Sequence, residues 1–587
     1  MSRWMIKNKK CDMDKICNLI GEDEIIVKTL LNREIYTLKG MKCFLKPSFE
    51  NLHDPIKMKD IDRAVDIIID SINKKLKILI IGDYDVDGIM SAFVLCSALK
   101  EFKANVNYYI PDRITDGYGI NISMVDRAYK DGYDVIMTCD NGIAASEQIK
   151  YAKKLGMIVI VTDHHDIPFI EDEYQNRKYI VPNADAVVNP KQLNCEYPFK
   201  SLCGAGIVFK FVQLLYDRIT KNKIEANKFI EYVAIATICD VVDLVDENRF
   251  IVKYGLNLLN TTNNLGLKAL KKITGVSDKV MNSYIIGFII GPCFNAAGRL
   301  EDASISLRLL FTNDQSEAEK LALKLYTLNK KRQEMTNHGV EEAVNYIEKF
   351  SIQDNKVLVI YIPELHESIA GIVAGRIRER YNLPTIILTR GKTSIKGSGR
   401  SIEGYNMFEE LLKCKNLLEK FGGHPMAAGL SLAEPNIKPL MKRLNDNCSL
   451  TDEDIIPKII IDCSLPFKKI SLKFAENIRN LEPFGKGNPK PVFAEKGISI
   501  IKVAFLDKNG RFLKFTLKQG RLYFNAVMFQ GLDELKRLIF GTKQNNVSIY
   551  EYLSSIKIDI VFYVNINEYM GKEYLQLQIK ELRKSAL

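Results

Sequence analysis

The chain has 587 residues, of which 47% are hydrophobic and 26% charged, as in an ordinary soluble globular protein. Lys and Arg exceed Asp and Glu by 83 to 72, and residues 501–587 carry 14 − 8 = +6 of the net +11, which favours a polyanionic partner. No apolar run reaches the roughly 20 residues that span a bilayer, and Met1 to Lys10 lacks the apolar core of a signal peptide. The 12 cysteines are scattered and form no Cys-x-x-Cys, which is typical of buried thiols in a reducing compartment and argues against a zinc site. We therefore expect a cytoplasmic protein without a membrane partner.

Apolar runs and amphipathic segments alternate in the first half of the chain. The runs 77–82, 134–139 and 157–162 are typical of buried parallel strands, and 89–102 and 144–155 of helices between them. This alternation predicts βαβ units around a parallel sheet, which is an α/β fold. Because ligands bind beyond the carboxyl ends of such strands, we expect functional residues at that edge.

Three acids follow the first strand, in the motif Gly82-Asp83-Tyr84-Asp85-Val86-Asp87-Gly88. Carboxylates two residues apart can face one side of an extended turn, so two of them could approach one pair of metal ions. Alternatively, an Asp after a strand caps the next helix, and we expect one of the three to do so. A helix has a single N-cap, so we favour metal binding by roughly three to one. Asp85 and Asp87 are the expected ligands and Asp83 the supporting residue.

More acids and imidazoles follow the next two strands. Asp140 lies in an ordinary Asp-Asn-Gly turn, whereas Asp163-His164-His165 brings together two of only 6 histidines beside an acid. Imidazole suits manganese or zinc, and carboxylate suits magnesium and manganese. A mixed set dominated by Asp therefore favours Mn²⁺ or Mg²⁺. Asp240, at the end of a helical run, is individually a weak signal.

Taken together, these residues predict a two-metal site. Two divalent ions about 4 Å apart can lower the pKa of a bridging water and clamp a phosphoryl oxygen. Such a site needs acids from several strand ends, at least one of them bridging both ions, and Asp140 on a central strand is the candidate bridge. No Ser/His/Asp or Cys/His nucleophile stands out. The expected chemistry is hydrolysis of a phosphate bond.

The middle of the chain predicts helices and a second domain. Residues 202–275 look mostly helical, and 315–350 form a long connecting helix that we expect to break near Gly339. A second, smaller α/β region starts with a strand at 356–361 and ends with a helix at 435–446.

The C-terminal part predicts a small antiparallel barrel. Short strands over 491–529 and 556–582 follow the Pro- and Gly-rich segment 482–491, with turns at Asn509-Gly510 and Gln519-Gly520. Basic and aromatic residues interleave there, as in barrels that stack and hold single strands. They are Arg511, Phe512, Lys514, Phe515, Lys518, Arg521, Tyr523 and Phe524. For any one Phe, core alternation is favoured by roughly two to one, so the inference also depends on the charge.

Several of these motifs resemble those of the DHH phosphoesterase superfamily. Asp85-Val86-Asp87-Gly88, Asp140, Asp163-His164-His165 and Asp240 match its four motifs in order and spacing. Gly422-Gly423-His424-Pro425-Met426-Ala427-Ala428-Gly429 is similar to the signature of the DHH-associated domain. Asn295-Ala296-Ala297-Gly298-Arg299 is similar to a motif of RecJ-like exonucleases.

The resemblance implies a 5′→3′ exonuclease specific for single-stranded DNA, using two Mn²⁺ or Mg²⁺ ions in DNA repair and recombination. It implies catalytic roles for Asp140, His164 and His165. The implied metal ligands are Asp83, Asp85, Asp87, Asp140, His164 and Asp240. The implied substrate-binding residues are Arg113, Asn295, Arg299, Ser398, Arg400 and His424. A single-strand-binding protein and a RecQ-like helicase are the implied protein partners.

Chemistry supports the phosphate contacts independently of the resemblance. Arginine offers a fork of donors that matches phosphate. The segment Lys396-Gly397-Ser398-Gly399-Arg400 can present backbone N–H groups and a guanidinium to an anion. An ordinary flexible turn is an equal alternative for that segment.

The resulting fold class is α/β: a parallel-sheet DHH domain, a connecting helix, a smaller α/β domain and a C-terminal antiparallel β-barrel of the OB-fold type. The expected bounds are an N-terminal segment at 1–50, the DHH domain with a helical extension at 51–314, the connecting helix at 315–350, the DHH-associated domain at 351–450 and the OB-fold at 451–587.

Two other functions stay open at this point. An oligoribonucleotide or cyclic-dinucleotide phosphodiesterase would use the same chemistry, although such a small substrate needs no extended basic domain. A non-catalytic scaffold in replication would lose metal ligands, and here every candidate ligand is present. Rates on dinucleotides and on long strands would separate the enzymes.

Overall fold

The computed structural model describes residues 2–7, 12–171, 176–506, 512–529, 531–540, 549–569 and 571–586. The chain forms two compact units, which are taken separately below. One unit contains Leu52–Val242 and Phe250–Ile456, and the other contains Met1–Asn51, Asp243–Arg249 and Pro457–Leu587. No helix within the described ranges is long and apolar enough to cross a membrane.

The N-terminal segment is mostly helical and packs into the core of the C-terminal barrel. Its elements are β1 (Arg3–Ile6), α1 (Met13–Ile20), α2 (Glu24–Asn32) and α3 (Leu38–Leu45). Side chains of Asp12, Asp23 and Thr37 cap the three helices. Ile26, Val27 and Leu30 of α2 are fully buried in the cluster that also fills the barrel. The N-terminal segment, for which the sequence predicts no function, is therefore part of the barrel unit.

The first α/β domain has the predicted parallel sheet. Its elements are α4 (Ile61–Asn73), β2 (Lys77–Ile81), α5 (Val86–Glu101), β3 (Asn105–Tyr109), α6 (Ile122–Lys130), β4 (Val135–Cys139), α7 (Ser146–Lys154), β5 (Ile158–Thr162), β6 (Phe169–Glu171), β7 (Arg177–Tyr179) and β8 (Ala186–Val188). The strand order is β3-β2-β4-β5-β8, and all four pairings are parallel. Since β4 is central, the carboxyl ends of β2 and β5 flank Asp140.

Helices follow the sheet, as expected. They are α8 (Gly204–Thr220), α9 (Ile230–Cys239), α10 (Asp246–Asn260), α11 (Leu265–Ile273), α12 (Ser283–Ile285), α13 (Gly291–Leu300), α14 (Ser304–Phe311) and α15 (Gln315–Phe350). A π turn, Ile286–Ile290, joins α12 to α13. The expected break in the connecting helix was wrong, because α15 runs unbroken through Gly339. A Cβ there would lie 2.7 Å from Leu365 Cδ1, so the glycine serves close packing.

The second α/β domain is a mixed five-stranded sheet. Its elements are β9 (Leu358–Tyr361), α16 (Glu367–Tyr381), β10 (Thr385–Arg390), β11 (Ile395–Arg400), α17 (Met407–Leu412), β12 (Lys420–His424), β13 (Ala427–Leu432) and α18 (Ile437–Asp446). The strand order is β12-β13-β11-β10-β9, with only β9 and β10 parallel.

The predicted C-terminal barrel is present. Its unit contains β14 (Lys458–Ile461), β15 (Cys463–Ser464), α19 (Leu472–Arg479), β16 (Phe493–Phe505), β17 (Leu513–Gln519), β18 (Leu522–Met528), α20 (Leu532–Phe540), α21 (Ile549–Ser555), β19 (Lys557–Tyr569) and β20 (Lys572–Lys584). The order β16-β17-β18-β20-β19 closes through β16 and β19; β18 pairs parallel with β20, and the short β15 pairs parallel with β16. Gly520 makes the expected turn with φ of 60°, while the Asn509-Gly510 turn and Arg511 lie outside the described residues.

Arg249 joins the parts of the barrel unit. It is 1% exposed, and its guanidinium donates to Phe44 O at 2.8 Å, Leu481 O at 2.9 Å and Asn480 O at 3.2 Å. The guanidinium also lies 3.7 Å from the centre of the Phe44 ring. Burial lowers the pKa of Arg249 to about 9. Carbonyl acceptors thus replace the water lost by this buried charge.

Candidate active site

The acids predicted from the sequence gather at one edge of the parallel sheet. Asp83, Asp140 and Asp163 follow the neighbouring strands β2, β4 and β5. Asp140 takes a left-handed backbone, φ 62°, and its N–H donates to Thr162 O at 3.1 Å. Parallel strands end at a common edge, so residues about eighty positions apart become neighbours.

The predicted ligand atoms form three overlapping groups, each with its atoms within 4.8 Å of one another. The groups are Asp83 with Asp85 and Asp140, Asp87 with His164 and Asp240, and Asp140 with His164 and His165. Asp140 and His164 belong to two groups each. This overlap suits two ions that share a ligand, and Asp140 and His164 are the two residues of these groups that could be shared.

Unpaired buried atoms show that these residues fit a cation. Asp83 Oδ1, Asp140 Oδ1, His164 Nε2 and Asp240 Oδ2 are buried without a hydrogen-bond partner. His164 Nε2 lies 3.1 Å from Asp140 Oδ1 and 3.7 Å from oxygens of Asp87 and Asp240 without making an aligned hydrogen bond. Orphaned buried polar atoms are costly, and a cation would satisfy them. Many carboxylates with few imidazoles suit Mn²⁺ or Mg²⁺.

Two acids of the first motif also accept backbone hydrogen bonds. Asp85 caps α5, because its Oδ1 accepts from Asp87 N at 2.9 Å and Gly88 N at 3.1 Å. Asp87 accepts from Gly204 N at 2.5 Å and Ala205 N at 2.8 Å at the start of α8. The sequence predicted that one of the three acids caps the next helix, and Asp85 does so. Asp83, ranked as supporting, lies in the same ligand group as Asp85 and Asp140.

The metal-free cluster is electrostatically strained. Burial, followed by the charges of Asp87 and Asp85, raises the pKa of Asp140 well above its usual value. The same causes raise the pKa of Asp240 to about 8. Ionised together, these carboxylates repel one another, and a bound cation would relieve that repulsion.

The adjacent histidines have different electrostatic environments. Burial lowers the pKa of His164, which leaves a neutral imidazole able to bind a metal. Burial alone would lower the pKa of His165 too, but Asp163 Oδ1 lies 2.7 Å from Nδ1 and raises it to about 9. His165 therefore carries a proton at neutral pH. It is also half-exposed, so it can reach a substrate.

We expect the metal-free protein to lose thermal stability as pH rises from about 6 to 8.5. Asp240 and Asp140 have raised pKa values, so the folded state holds protons that the unfolded chain has released. The pKa of His165 is also raised, so it contributes stability at low pH that is lost as pH rises toward 9, whereas the lowered pKa of His164 acts in the opposite sense. Melting curves in chelator should show this fall. Asp240→Asn should make the fall shallower, because one of the contributing groups is removed, and an unchanged slope in that variant would contradict the assignment.

The predicted phosphate-binding arginines have no carboxylate partners. Arg113 lies over the Tyr84 ring at 5.0 Å, and Arg299 Nη1 donates to Ser368 O at 2.8 Å. Burial, then the charges of Arg113 and Arg332, lowers the pKa of Arg299 to about 10. Among the described residues, Arg113, Arg299, Arg332 and Arg400 form no ion pair. Such a cluster favours an anionic ligand.

Ser398, Arg400 and His424 lie on one sheet of the second domain. In register, Arg400 on β11 and His424 on β12 both oppose Ala427 of β13, so their side chains share a face. Arg400 Nη1 lies 3.2 Å from Ser398 Oγ. The idea that residues 396–400 offer free backbone N–H groups was wrong, and so was the flexible turn. β11 pairs on both sides, which leaves only side chains for a ligand.

Three residues near this site escaped sequence reasoning. Tyr118 Oη donates to Asp140 O at 3.2 Å and lies 3.2 Å from His165 Nε2. A Cβ on Gly204 would lie 2.6 Å from Asp140 Cβ, so only glycine fits there. Arg332 comes from the connecting helix. Two glycines, Gly117 and Gly119, flank Tyr118 in the sequence and could have marked its turn, since both have positive φ. No local feature of the sequence marks Gly204 or Arg332.

Comparisons with known proteins agree with this architecture. Family models match the DHH family N-terminal domain at residues 77–237, the DHHA1 domain at 354–450 and the RecJ OB domain at 461–581. The single-stranded-DNA-specific exonuclease RecJ of Bacillus subtilis is 35% identical over 99% of this chain and 70% of that relative. The Haemophilus influenzae protein of the same name is 31% identical over 96% and 97%.

Solved structures show the same fold. A crystal structure of RecJ with Mn²⁺ from Thermus thermophilus matches with TM-score 0.82 and 24% identity, over 100% of this chain and 80% of that one. A crystal structure of exonuclease RecJ bound to manganese matches with TM-score 0.58 and 29% identity, over 68% of this chain and 96% of that one. With relatives above 30% identity along nearly its whole length, this chain belongs to the RecJ family.

Proposed function

We propose that this chain is a metal-dependent exonuclease that degrades single-stranded DNA from the 5′ end by hydrolysing terminal phosphodiester bonds, in DNA repair and recombination. The observation that carries the proposal is a buried cluster of acids and imidazole with orphaned atoms, beside the arginines Arg113, Arg299 and Arg400, which form no ion pair within the described part of the chain. The names of the relatives support the substrate. The dinucleotide alternative is not favoured, since residues 461–581 match the RecJ OB domain and the relatives align over 96–99% of this chain.

In this proposal, six residues hold two Mn²⁺ or Mg²⁺ ions: Asp83, Asp85, Asp87, Asp140, His164 and Asp240. Bound there, the ions supply charge stabilisation and an acidified water. Asp140 orients the centre as the shared ligand, and neutral His164 offers its Nε2 lone pair. Protonated His165, held by Asp163, donates a hydrogen bond to a phosphate oxygen.

Six further residues would hold the strand: Arg113, Asn295, Arg299, Ser398, Arg400 and His424. Arginine forks match phosphate oxygens in geometry and charge. Asn295 lies one helical turn before Arg299 on α13, so both side chains can serve one face. A Cβ on Gly422 or Gly429 would meet nothing within 4 Å. Open space beside Ser398 and His424 would let the sugar-phosphate backbone of the strand approach the sheet closely.

The other functional assignments rest mainly on the family. The proposed domains are an N-terminal segment at 1–50, the DHH domain with its helical extension at 51–314, the connecting helix at 315–350, the DHH-associated domain at 351–450 and the OB-fold at 451–587. A single-strand-binding protein and a RecQ-like helicase are the proposed partners, and pull-down with each purified protein tests them. No disulfide joins the cysteines of the described residues, which supports a cytoplasmic location.

Digestion of end-labelled strands tests the activity. Single strands and duplexes labelled at either end are incubated with Mn²⁺ and sampled over time. We expect 5′-labelled single strands to release short labelled products at once, 3′-labelled strands to shorten progressively, and blunt duplexes to persist. Intact single strands at every salt concentration would overturn the proposal, and immediate release of the 3′ label would reverse the polarity.

Replacing Arg332 by Gln should weaken strand binding in a salt-dependent way. If Arg332 contacts one phosphate, the slope of log K against log salt should fall by about 0.7 for a single strand. Fluorescence anisotropy without divalent metal measures this. Lys331→Gln removes the same charge from an exposed neighbouring position and should keep the wild-type slope. Equal slopes for both variants would remove Arg332 from the site.

A further inference from the structure

A pair of stacked aromatic rings lies exposed on the first unit. Tyr284 is 63% and Phe288 69% exposed, and their ring centres are 5.1 Å apart at an interplanar angle of 27°. Val280, 75% exposed, lies just before them in the chain. Adjacent large apolar side chains left in water mark a binding surface more often than a packing defect.

The helix that carries the pair is rigidly backed. It runs from Ser283 to Leu300 with the π turn Ile286–Ile290 ahead of Pro292. Proline lacks an N–H and clashes with the carbonyl four residues earlier, so a wider turn accommodates it. A Cβ on Gly291 would lie 2.3 Å from Cys239 Sγ, and one on Gly287 3.5 Å from Ile238 Cγ2. The glycine side is therefore packed on α9, while both rings face water.

The same two helices lead directly to the active site. α9 ends at Cys239, next to the proposed ligand Asp240. The ring-bearing helix continues to Asn295 and Arg299, and a Cβ on Gly298 would lie 2.3 Å from Tyr84 O in the first acidic motif. Phe288 precedes Asn295 by seven residues, or about 10 Å of helix. The aromatic pair thus lies on the same helical segment as the proposed phosphate-binding residues Asn295 and Arg299.

The surrounding chemistry favours nucleobases over a protein partner. The nearby arginines lack acidic partners and would hold phosphates, which brings bases of the same strand within reach. Every base has a π face, so flat exposed rings bind a strand without reading its sequence.

We propose that Tyr284 and Phe288 form a stacking platform for one or two bases of the single strand whose terminal phosphodiester is hydrolysed. The platform deepens the proposed function and rests on it. It holds the strand near the metal-binding acids through base faces, whereas the arginines hold the phosphates. Because stacking is made equally before and during hydrolysis, it lowers KM and leaves kcat unchanged.

Oligonucleotides with one abasic site test the platform. The abasic position is moved one nucleotide at a time from the 5′ end, and kcat and KM are measured for wild type, Phe288→Ala, Tyr284→Ala and Phe288→Trp. For wild type, an abasic site at one or two positions should raise KM roughly 5- to 150-fold. Phe288→Ala should raise KM on intact strands by a similar factor, with no further rise at those positions. Phe288→Trp should restore the wild-type profile.

Phe350→Ala is the matched control. Phe350 is 54% exposed and its ring lies 4.5 Å from that of Tyr346, tilted by 48°, at the end of the connecting helix. It should behave as wild type. An abasic profile that is unchanged in Phe288→Ala overturns the platform and leaves the exonuclease standing; the rings would then be a protein-docking surface. A wild-type protein that neither binds nor cuts single strands overturns both proposals.

Discussion

Asp140→Asn is expected to abolish exonuclease activity while leaving the protein folded. Charge stabilisation by a bound metal is worth several kcal/mol, and each 1.36 kcal/mol is tenfold in rate, so the loss should be at least roughly 10³-fold. Asparagine keeps the side-chain volume against Gly204 and tolerates the left-handed backbone. Alanine would be strained at this φ.

The same variant should be no less stable than wild type without metal. Burial and neighbouring acids raise the pKa of Asp140, so an amide there removes repulsion. It should also lose most of the increase in melting temperature that Mn²⁺ gives wild type. Asp60→Asn is the control, because Asp60 has the same left-handed φ of 62° but lies outside the acid cluster. Activity retained by Asp140→Asn would eliminate Asp140 as the bridge.

Asp87→Ala is expected to abolish activity and also to destabilise the fold. The Asp87 carboxylate is 1% exposed and accepts from two backbone N–H groups that begin α8, Gly204 N and Ala205 N. Its removal leaves both buried donors without a partner. We expect a loss of about 2–4 kcal/mol in the free energy of unfolding, reduced by whatever repulsion is relieved. Asp87→Asn should lose activity with a smaller loss of stability, because its amide oxygen still accepts one bond.

Chemical denaturation in the presence of a chelator measures the free energy of unfolding of the Asp87 variants and of Asp140→Asn, and so compares two buried acids of one site. Asp314→Ala is the control, since Asp314 caps α15 through a 2.6 Å bond to Glu317 N far from the acid cluster. It should lose about 1 kcal/mol and keep full activity. An Asp87→Ala protein as stable as wild type would show that the start of α8 does not depend on that carboxylate.

Sequence reasoning worked where a single residue type determines a local structure. Buried apolar runs predicted β2, β4 and β5, and the acids after them met at one sheet edge. The connecting helix has the expected bounds, but the predicted break at Gly339 is absent from it. A glycine that permits close packing and a glycine that ends a helix look alike in the sequence. The aromatic residues that alternate with basic ones in the barrel strands have both environments, as expected. Phe515 is fully buried in the core, whereas Tyr523 is 56% exposed.

Local pattern could not rank the acids of the first motif. Asp85 caps α5, Asp87 binds the start of α8, and Asp83 holds an orphaned oxygen toward Asp140. The cap of Asp85 is local, but the roles of Asp83 and Asp87 depend on partners elsewhere in the chain, in the case of Asp87 more than a hundred residues away. The same holds for Arg332 and for the ring pair at Tyr284 and Phe288, whose exposure follows from the packing of their helix on α9.

The sequence by itself determined the chemistry of this protein: acids and imidazoles at the ends of parallel strands, basic residues for a polyanion, and the order of the domains. Period and motif carry that information because strand ends and turns depend on near neighbours. Only the tertiary structure decided which oxygens lack partners, which backbone N–H groups Asp87 accepts, and that the N-terminal helices share the core of the barrel. Those features depend on contacts between distant segments, which leave no periodic signal in the chain.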